Sequence, residues 1–544
     1  MESCSMRRTL IILSCLLTTS AFTGACVKGP QPGASDASNT TAIIRRGNGG
    51  EPGSLDPALA EDIHAFNILT DLYEGLVTVS AGGRVLPGVA ESWEISDNGL
   101  IYTFVLRDNA RWSTGEAVVA SDFVNAFRRV ANPGTGSVYG FLLESIRNFA
   151  EVQAGSLLVD QLAIRAIDER RLEIRLTSPT PWFLAALSMP VAFPVHTSTS
   201  DSRTSTTPES FVGNGAYELE SIVPGGAISM KRSPTYWDAD SVTVEQIIFL
   251  PIVDPVAELN MYRSGELDIT HTIPPTHVQM LKTDMPDHVR IAPSLALYYL
   301  AFDLTEPPLD DRLLRQSLNM SIDREQLVSI IGRGEQAAFG IIPPGVANHD
   351  GARFAWHNLP ADEREAQAQE LYRRAGYSNE TPLAIQLTYD AGDIHEKIAL
   401  TVSVMWRDVL GVDVTIRKME WQYFLATREN RSEWQVMRFA WSGDYDDAST
   451  FTNIFRSNDP QNLAAYANPD YDQLVADASV ERNGERRAAT MKAAEAMLLD
   501  DYPIAPLYFY VSKHMVSPEI TGFESNALDR HPSKFLSKGL TDPQ

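Results

Sequence analysis

Cysteine is nearly absent from this sequence. The 544 residues hold three, at Cys4, Cys15 and Cys26, and none beyond. A disulfide framework is therefore excluded for the chain after Cys26, and so is cysteine-based chemistry there. Basic residues are also in deficit: 45 Lys+Arg stand against 70 Asp+Glu, a formal net charge of −25. General binding to a phosphate backbone needs the opposite balance, so no nucleic-acid partner is expected. After the amino-terminal stretch no apolar run reaches the roughly 18–20 residues of a membrane span. Motifs of catalysis are missing as well. There is no G-x-S-x-G elbow and no P-loop, and Gly47-Asn-Gly-Gly50 fails as a dinucleotide fingerprint. His395-Glu396 lacks the second histidine of a zinc protease, because Ala399 stands in its place. Asp444-Tyr-Asp-Asp447 is acidic but lacks the spaced ligands and glycine of a calcium loop. No enzyme activity, cofactor or metal is expected.

What is present begins at the amino end. Arg7 and Arg8 precede an apolar stretch from Thr9 to Ala21, and Thr23-Gly-Ala-Cys26 follows. This is the pattern of a secretory signal over 1–25. A cysteine directly after small residues resembles a bacterial lipobox, which implies a lipid anchor on Cys26. Thr23 departs from the usual leucine, and ordinary cleavage after Ala25 is the alternative. Residues 26–41 are polar and rich in Gly and Pro, the composition of a flexible tether. The protein is expected to be exported, to a periplasm or cell surface, and held at a membrane by this lipid.

The remainder is an ordinary globular composition, 44% apolar and 21% charged, long enough for three or four units of about 150 residues. Ile101 to Arg107 alternates like a half-buried strand. Ser121 to Val130 has apolar residues at helical spacing, with Ser121 as N-cap. Residues 163–167 and 172–176 read as a hairpin around Asp168 to Arg171. Helices are predicted over 257–264, 313–331, 361–375, 395–410 and 485–499, and strands over 412–416 and 504–511. Helix, glycine, strand recurs in that order, as in α/β lobes with crossover connections.

Several stretches together resemble the periplasmic oligopeptide-binding proteins of ABC importers, extracellular solute-binding protein family 5 of the peptide/nickel type. They are Gly50-Glu-Pro-Gly-Ser-Leu-Asp-Pro57, Leu72-Tyr-Glu-Gly-Leu76, Pro87 to Trp93, Tyr102 to Arg107, Ala110-Arg-Trp-Ser113, Ala120-Ser-Asp-Phe-Val124, Asn214-Gly-Ala-Tyr217, Tyr262 to Asp268, Phe439 to Tyr445 and Pro506 to Tyr510. The likeness runs from Ile44 to Phe535. It implies an α/β, periplasmic-binding-protein type II-like fold: two hinged lobes plus a third smaller lobe, with ligand in the interlobe cleft. By analogy lobe I takes 42–73, 200–295 and 511–535, lobe II 74–199 and lobe III 296–510. The implied function is capture of short oligopeptides, through backbone and termini, and delivery to the membrane permease of an ABC importer by a monomer. A cell-wall peptide, dipeptide, signalling peptide, nickel or haem is the narrower alternative. An enzyme using the cleft and an adhesive or chaperone-like lipoprotein are the competing classes.

The resemblance also assigns site residues. Asp444 matches the family aspartate that receives the peptide's α-amino group. Arg428, Arg438 and His395 match cations serving the terminal carboxylate. Trp421 and Trp441 match pocket-wall aromatics, and Ala440 and Gly443 flank the peptide backbone. Tyr139, Tyr508 and Glu61 are further candidates. The sequence departs from the family in three ways. A ligand lysine falls at Gly332, with Arg333 beside it. A disulfide of some members falls at Ala296 and Ser442, so the Trp441 loop is expected to be held by packing alone. Ser442, Gly443, Asp446 and Asp447 are expected to reshape the pocket around Asp444.

Overall fold

The computed structural model describes residues 42–197, 207–347, 349–420, 423–424, 427, 433–443 and 445–539. Strand alternation drives the first half. In Ile101–Leu106 the side chains of Tyr102, Phe104 and Leu106 are buried while their neighbours face outward. This strand lies in a four-stranded antiparallel sheet, in the order Ala90–Ile95, Ile101–Leu106, Arg171–Arg175, Ile164–Ala166. A second four-stranded sheet brings together segments far apart in sequence, in the order Ile43–Gly47, Gln246–Leu250, Ile228–Arg232, Tyr217–Ile222. Its first pair is parallel and the others are antiparallel. One hydrophobic core serves both sheets, with Ile44, Phe104, Phe123, Phe183, Tyr217 and Ile247 among its members.

The second half is built on a six-stranded mixed sheet, in the order Gln336–Ala337, Ile504–Met515, Val289–Phe302, Val436–Ser442, Ala384–Asp390, Asp413–Met419. Its core is separate and packs helices against the sheet. The two longest strands, Val289–Phe302 and Ile504–Met515, pair antiparallel along most of their length. Leu297 to Phe302 and Ile504 to Phe509 belong to the large core. At the other end Met515, with Val289 and Ile291, packs on a small third core around Leu259, Tyr262 and Leu281. The ladder slips between Pro293 and Leu297, where the strands pass from one core to the other.

Two helix expectations change. The helix predicted over 313–331 is two helices, Arg312–Met320 and Arg324–Ile331. Asp323 ends the continuity by capping the second, its carboxylate accepting from Gln326 N at 2.9 Å. Arg324 then turns inward, fully buried, and donates to the carbonyls of Pro506, Asn319 and Ile322. The helix predicted from Ser121 begins at Ala120, and Asp122 does the capping: its carboxylate accepts from Val119 N at 3.0 Å and from the Trp112 indole at 3.1 Å.

The motifs that carried the family resemblance fold into buried polar knots. Glu74, of the Tyr-Glu-Gly block, accepts hydrogen bonds at 2.6 Å from the Tyr236 hydroxyl, the Trp237 indole and Lys534. Asn214 brackets the same residue, accepting from Glu74 N and donating to Glu74 O. Asp268 accepts from Arg45 N and pairs with Lys538, each at 2.7 Å. Each knot ties segments that lie hundreds of positions apart. Glu74→Ala strands the half-buried Lys534 ammonium and two donors. It should cost about 3–5 kcal/mol of unfolding free energy, the scale for one partner of a buried pair. Urea unfolding measures it, and a loss below about 1 kcal/mol would remove Glu74 from this role.

Candidate functional site

Three parallel strands, Ala384–Asp390, Asp413–Met419 and Val436–Ser442, end on the same edge of the six-stranded sheet. In α/β sheets that carboxyl edge is where ligands are met. Asp390 closes the first strand, and the helix Asp393–Leu410 starts just after it, with His395 in its first turn. Arg438 stands on the third. The hub is Tyr298 on the neighbouring long strand, fully buried, with Ala440 and Tyr508 as its cross-strand partners.

The side chains converge on that hub. Tyr508 stacks on Tyr298 with ring centroids 4.8 Å apart, and His395 stacks at 5.6 Å. The His395 Nδ1 lies 3.1 Å from the Tyr298 hydroxyl, and its Nε2 lies 3.8 Å from Asp390. The Arg438 guanidinium sits 5.8 Å from the Tyr298 ring centre and 5.3 Å from that of Phe424. Its Nε and Nη2 both bond to the Asp390 carboxylate. This is a nearly dry ion pair with an aromatic bed, which fixes the orientation of the guanidinium. Burial, reinforced by Arg438, pushes the His395 imidazole down to about 4, so it is neutral at pH 7.

The other expected residues distribute as follows. Trp441 is half-buried opposite Leu297, and its indole N–H is buried with no hydrogen-bond partner among the described residues. The side chain of Ala440 is exposed. Gly443 donates its N–H to Leu295 O at 2.6 Å, and a Cβ there would lie 2.7 Å from the Thr450 methyl, so a side chain here would force Thr450 to move. Its N–H is thus committed to the fold, and only its carbonyl faces other uses. Tyr139 and Glu61 lie on the other core. Tyr139 packs edge-on against Phe66 at 5.2 Å, and Glu61 is exposed beside Asp62, which caps the helix Ile63–Leu72. The structure therefore brings Arg438, His395 and Tyr508 together, sets Ala440, Trp441 and Gly443 along the adjoining strand, and places Tyr139 and Glu61 apart from them. Asp444, Arg428, Trp421 and Cys26 lie outside the described residues.

One expectation is corrected here. The Trp441 loop is not held by packing alone: Ala296 and Ser442 are partners in a hydrogen-bonded ladder running from Ala296–Ser442 to Phe302–Val436. Asp446 and Asp447 anchor the loop itself. Asp446 accepts from Ala347 N at 2.8 Å, and Asp447 makes a two-pronged pair with Arg487, both contacts 2.7 Å. Gly332 is the left-handed C-cap of Arg324–Ile331, with φ +71°, a place poorly suited to lysine. Arg333 beside it directs its charge at His395, Tyr510 and Lys513. Sequence reading missed Tyr298 and Asp390. Tyr298 sits in a wholly apolar run and looks like core, and Asp390 is an unremarkable strand end until its partner is seen.

The two long strands shared between cores, with a site at the carboxyl edge of the sheet, define a periplasmic-binding-protein type II-like α/β protein. The profile of bacterial extracellular solute-binding proteins, family 5 Middle, matches residues 84–462, and the chain belongs to that family. It is 36% identical over 480 residues to the periplasmic murein peptide-binding protein of Escherichia coli, covering 88% of this chain and 89% of that one. It is 35% identical over 521 residues to the periplasmic oligopeptide-binding protein of Salmonella typhimurium, 94% of each. The family is one of solute-binding proteins rather than enzymes. Among solved structures, the murein tripeptide-binding protein in its unliganded open form superposes with TM-score 0.87 at 33% identity, over 92% of this chain and 98% of that one. Another structure of the Escherichia coli murein tripeptide-binding protein gives 0.71 at 34% identity, over 92% and 99%. The Haemophilus influenzae oligopeptide-binding protein in complex with the peptide RPPGFSPFR gives 0.70 at 30%, over 92% and 99%. Among the described residues no helix is long and apolar enough to cross a membrane.

The displaced His395 titration carries a stability signature. The folded protein keeps the ring neutral down to about 4, whereas the unfolded chain takes a proton near 6.5. Between those values the unfolded state binds more protons. The contribution is present above 6.5 and is lost as pH falls toward 4. His395→Gln should flatten the fall of the urea midpoint between pH 7 and pH 5. An equally steep fall in the variant would show that His395 is not the group responsible.

Proposed function

We propose that the protein is an extracytoplasmic receptor that captures short peptides and passes them to the permease of an ABC importer, with no chemistry of its own. The observation that carries this reading is the Arg438–Asp390–His395–Tyr298 cluster, held at the carboxyl edge of the sheet beside two strands that continue into the other cores. Those strands act as the hinge. Bending at the slip between Pro293 and Leu297 would bring the first two sheets over that edge without breaking either core. The lobes are then those expected from the resemblance: 42–73, 200–295 and 511–535, against 74–199, with 296–510 closing on them.

The chemistry follows from what all peptides share. Asp390 holds Arg438 by its Nε and Nη2 edge, leaving the Nη1 edge for a ligand carboxylate. Arg428 adds a second cation, and neutral His395 offers a hydrogen bond without repelling either. Asp444 receives the α-amino group, and Ala440, Gly443 and the strand edge meet the peptide backbone. Trp421, Trp441 and Tyr508 supply apolar walls, while Tyr139 and Glu61 close from the opposite core. The signal over 1–25 directs export, and a lipid on Cys26 keeps the receptor beside its permease. A cell-wall peptide is the second reading, favoured by the 36% identity to a murein peptide-binding protein and by the open-form likeness.

Calorimetry on protein unfolded and refolded to strip bound ligand tests this. Tri- to pentapeptides and a murein tripeptide are titrated, free and N-acetylated. Tight binding that acetylation abolishes is expected. Asp444→Ala should weaken it by about 2–5 kcal/mol, the scale of truncating one buried charge partner. Binding of the murein tripeptide alone would select the narrower receptor, and binding of neither pool would overturn the peptide reading.

A further inference from the structure

Four of the ten histidines gather where the strand Ile504–Met515 meets the carboxyl-terminal segment. Three ligand-type side chains form the centre of this group. The His514 Nε2 lies 2.8 Å from the Asp529 Oδ1, and the His531 Nε2 lies 3.1 Å from the same oxygen. Ligand atoms of all three residues fall within 4.8 Å of one another. Both imidazoles are buried, at 7% and 8% exposure, while the Asp529 side chain is 34% exposed. The group is therefore enclosed on the histidine side and open to solvent at the carboxylate.

Hydrogen-bond geometry limits what can lie between these atoms. The His514 Nδ1 is 2.9 Å from the carbonyl oxygen of Thr270, which can only accept. That nitrogen therefore carries the hydrogen. In the neutral ring the Nε2 is then a lone pair aimed at an oxygen of an ionised carboxylate, also an acceptor. Two acceptors do not approach to 2.8 Å unless something positive joins them. A proton would do so, and so would a metal ion.

The geometry points to a divalent transition-metal site, with His514 Nε2, Asp529 and His531 Nε2 as ligands and zinc as the ion that suits them. Two imidazoles and a carboxylate are a donor set zinc takes, and three protein ligands leave its fourth position to water. Around a tetrahedral zinc with bonds of about 2.0–2.1 Å, neighbouring ligand atoms lie about 3.3 Å apart. The two close approaches in the cluster are a few tenths of an ångström short of that value. Second-sphere contacts are of the kind that orient ligands. Thr270 O fixes the His514 tautomer, and His531 lies flat on Phe523, ring centroids 3.9 Å apart. Arg46 is the nearby opposing charge. Its guanidinium is turned to His531 O and Ser533 Oγ, at 2.8 and 2.7 Å. His271, tilted against His64 with ring centroids 5.4 Å apart, is a further titratable group near His514. A metal here would bind the carboxyl-terminal segment to the strand bearing His514 and, through Thr270, to the segment Ile269–Thr270 beside the strand Ile43–Gly47.

The test uses the whole folded protein, freed of metal with a chelator. Zinc is titrated calorimetrically, cobalt(II) is added and its visible absorption recorded, and thermal unfolding is followed with and without zinc. One zinc per chain, the intense visible bands of a four-coordinate cobalt site and a zinc-dependent rise in Tm are expected. His531→Ala and His514→Gln should each lower zinc affinity at least about a hundredfold, beyond the loss of an outer-sphere partner, and abolish the cobalt bands. Circular dichroism and a retained cooperative transition establish that the variants fold. Asp529→Asn, nearly isosteric, serves if either histidine variant does not fold. No saturable zinc binding by the folded wild type would overturn the proposal and leave a proton as the bridge. So would binding that the folded variants retain unchanged.

Discussion

The antiparallel ladder between Val289–Phe302 and Ile504–Met515 is the constraint on which the rest depends. Each strand is continuous, yet each contributes to more than one hydrophobic core. The cores are internally close-packed and resist deformation. The ladder between them slips between Pro293 and Leu297. The same two strands also supply Tyr298 and Tyr508, the aromatic floor under Arg438 and His395. The strands that join the cores are thus also the floor of the candidate site.

The electrostatics of the site follow from that floor. An arginine against a buried aromatic surface needs a counter-charge, and Asp390 supplies it from the end of the adjacent strand. A histidine between that pair and a tyrosine hydroxyl is kept neutral by burial and by the guanidinium. The arrangement is a cation already desolvated and oriented, with its immediate charge balanced. A group so fixed has little orientational freedom left to lose.

Much of the fold was legible in the sequence because it is written in short-range patterns. The alternation of Ile101–Leu106, the hairpin at Asp168 and the helix–glycine–strand units at Gly376 and Gly411 each depend on neighbours within a few residues. The failures are where a single side chain overrides the pattern. Leu313 to Ile331 has unbroken helical periodicity, but Asp323 caps a second helix and Arg324 plugs the resulting corner. The family motifs were recognisable for a reason different from ligand contact. Glu74, Asn214 and Asp268 are buried partners in long-range knots, and Asp122 and Trp112 in a local one, where substitution strands a charge or a polar group. They identify the fold and are silent on specificity.

The site was only half legible, and the division has a physical cause. Arg438 and His395, assigned by resemblance, fell at the carboxyl edge of the sheet because strand order is a property of the fold. The residues that tune them could not be found that way. Tyr298 lies in a stretch reading Leu-Ala-Leu-Tyr-Tyr-Leu-Ala-Phe, indistinguishable from core until the cross-strand register sets it against Ala440 and Tyr508. Asp390 acquires a role only through a partner 48 positions away. The missing disulfide is the converse case. Its absence suggested a loop held by packing alone, but the same two positions face each other in a ladder and Gly443 adds a further backbone bond. A covalent link across such a ladder would add little to its geometry. What remains distinctive here is the loop beyond Ser442, where Asp446 and Asp447 are fastened to Ala347 and Arg487. Those two acids fix the path of the chain just beyond the sheet edge.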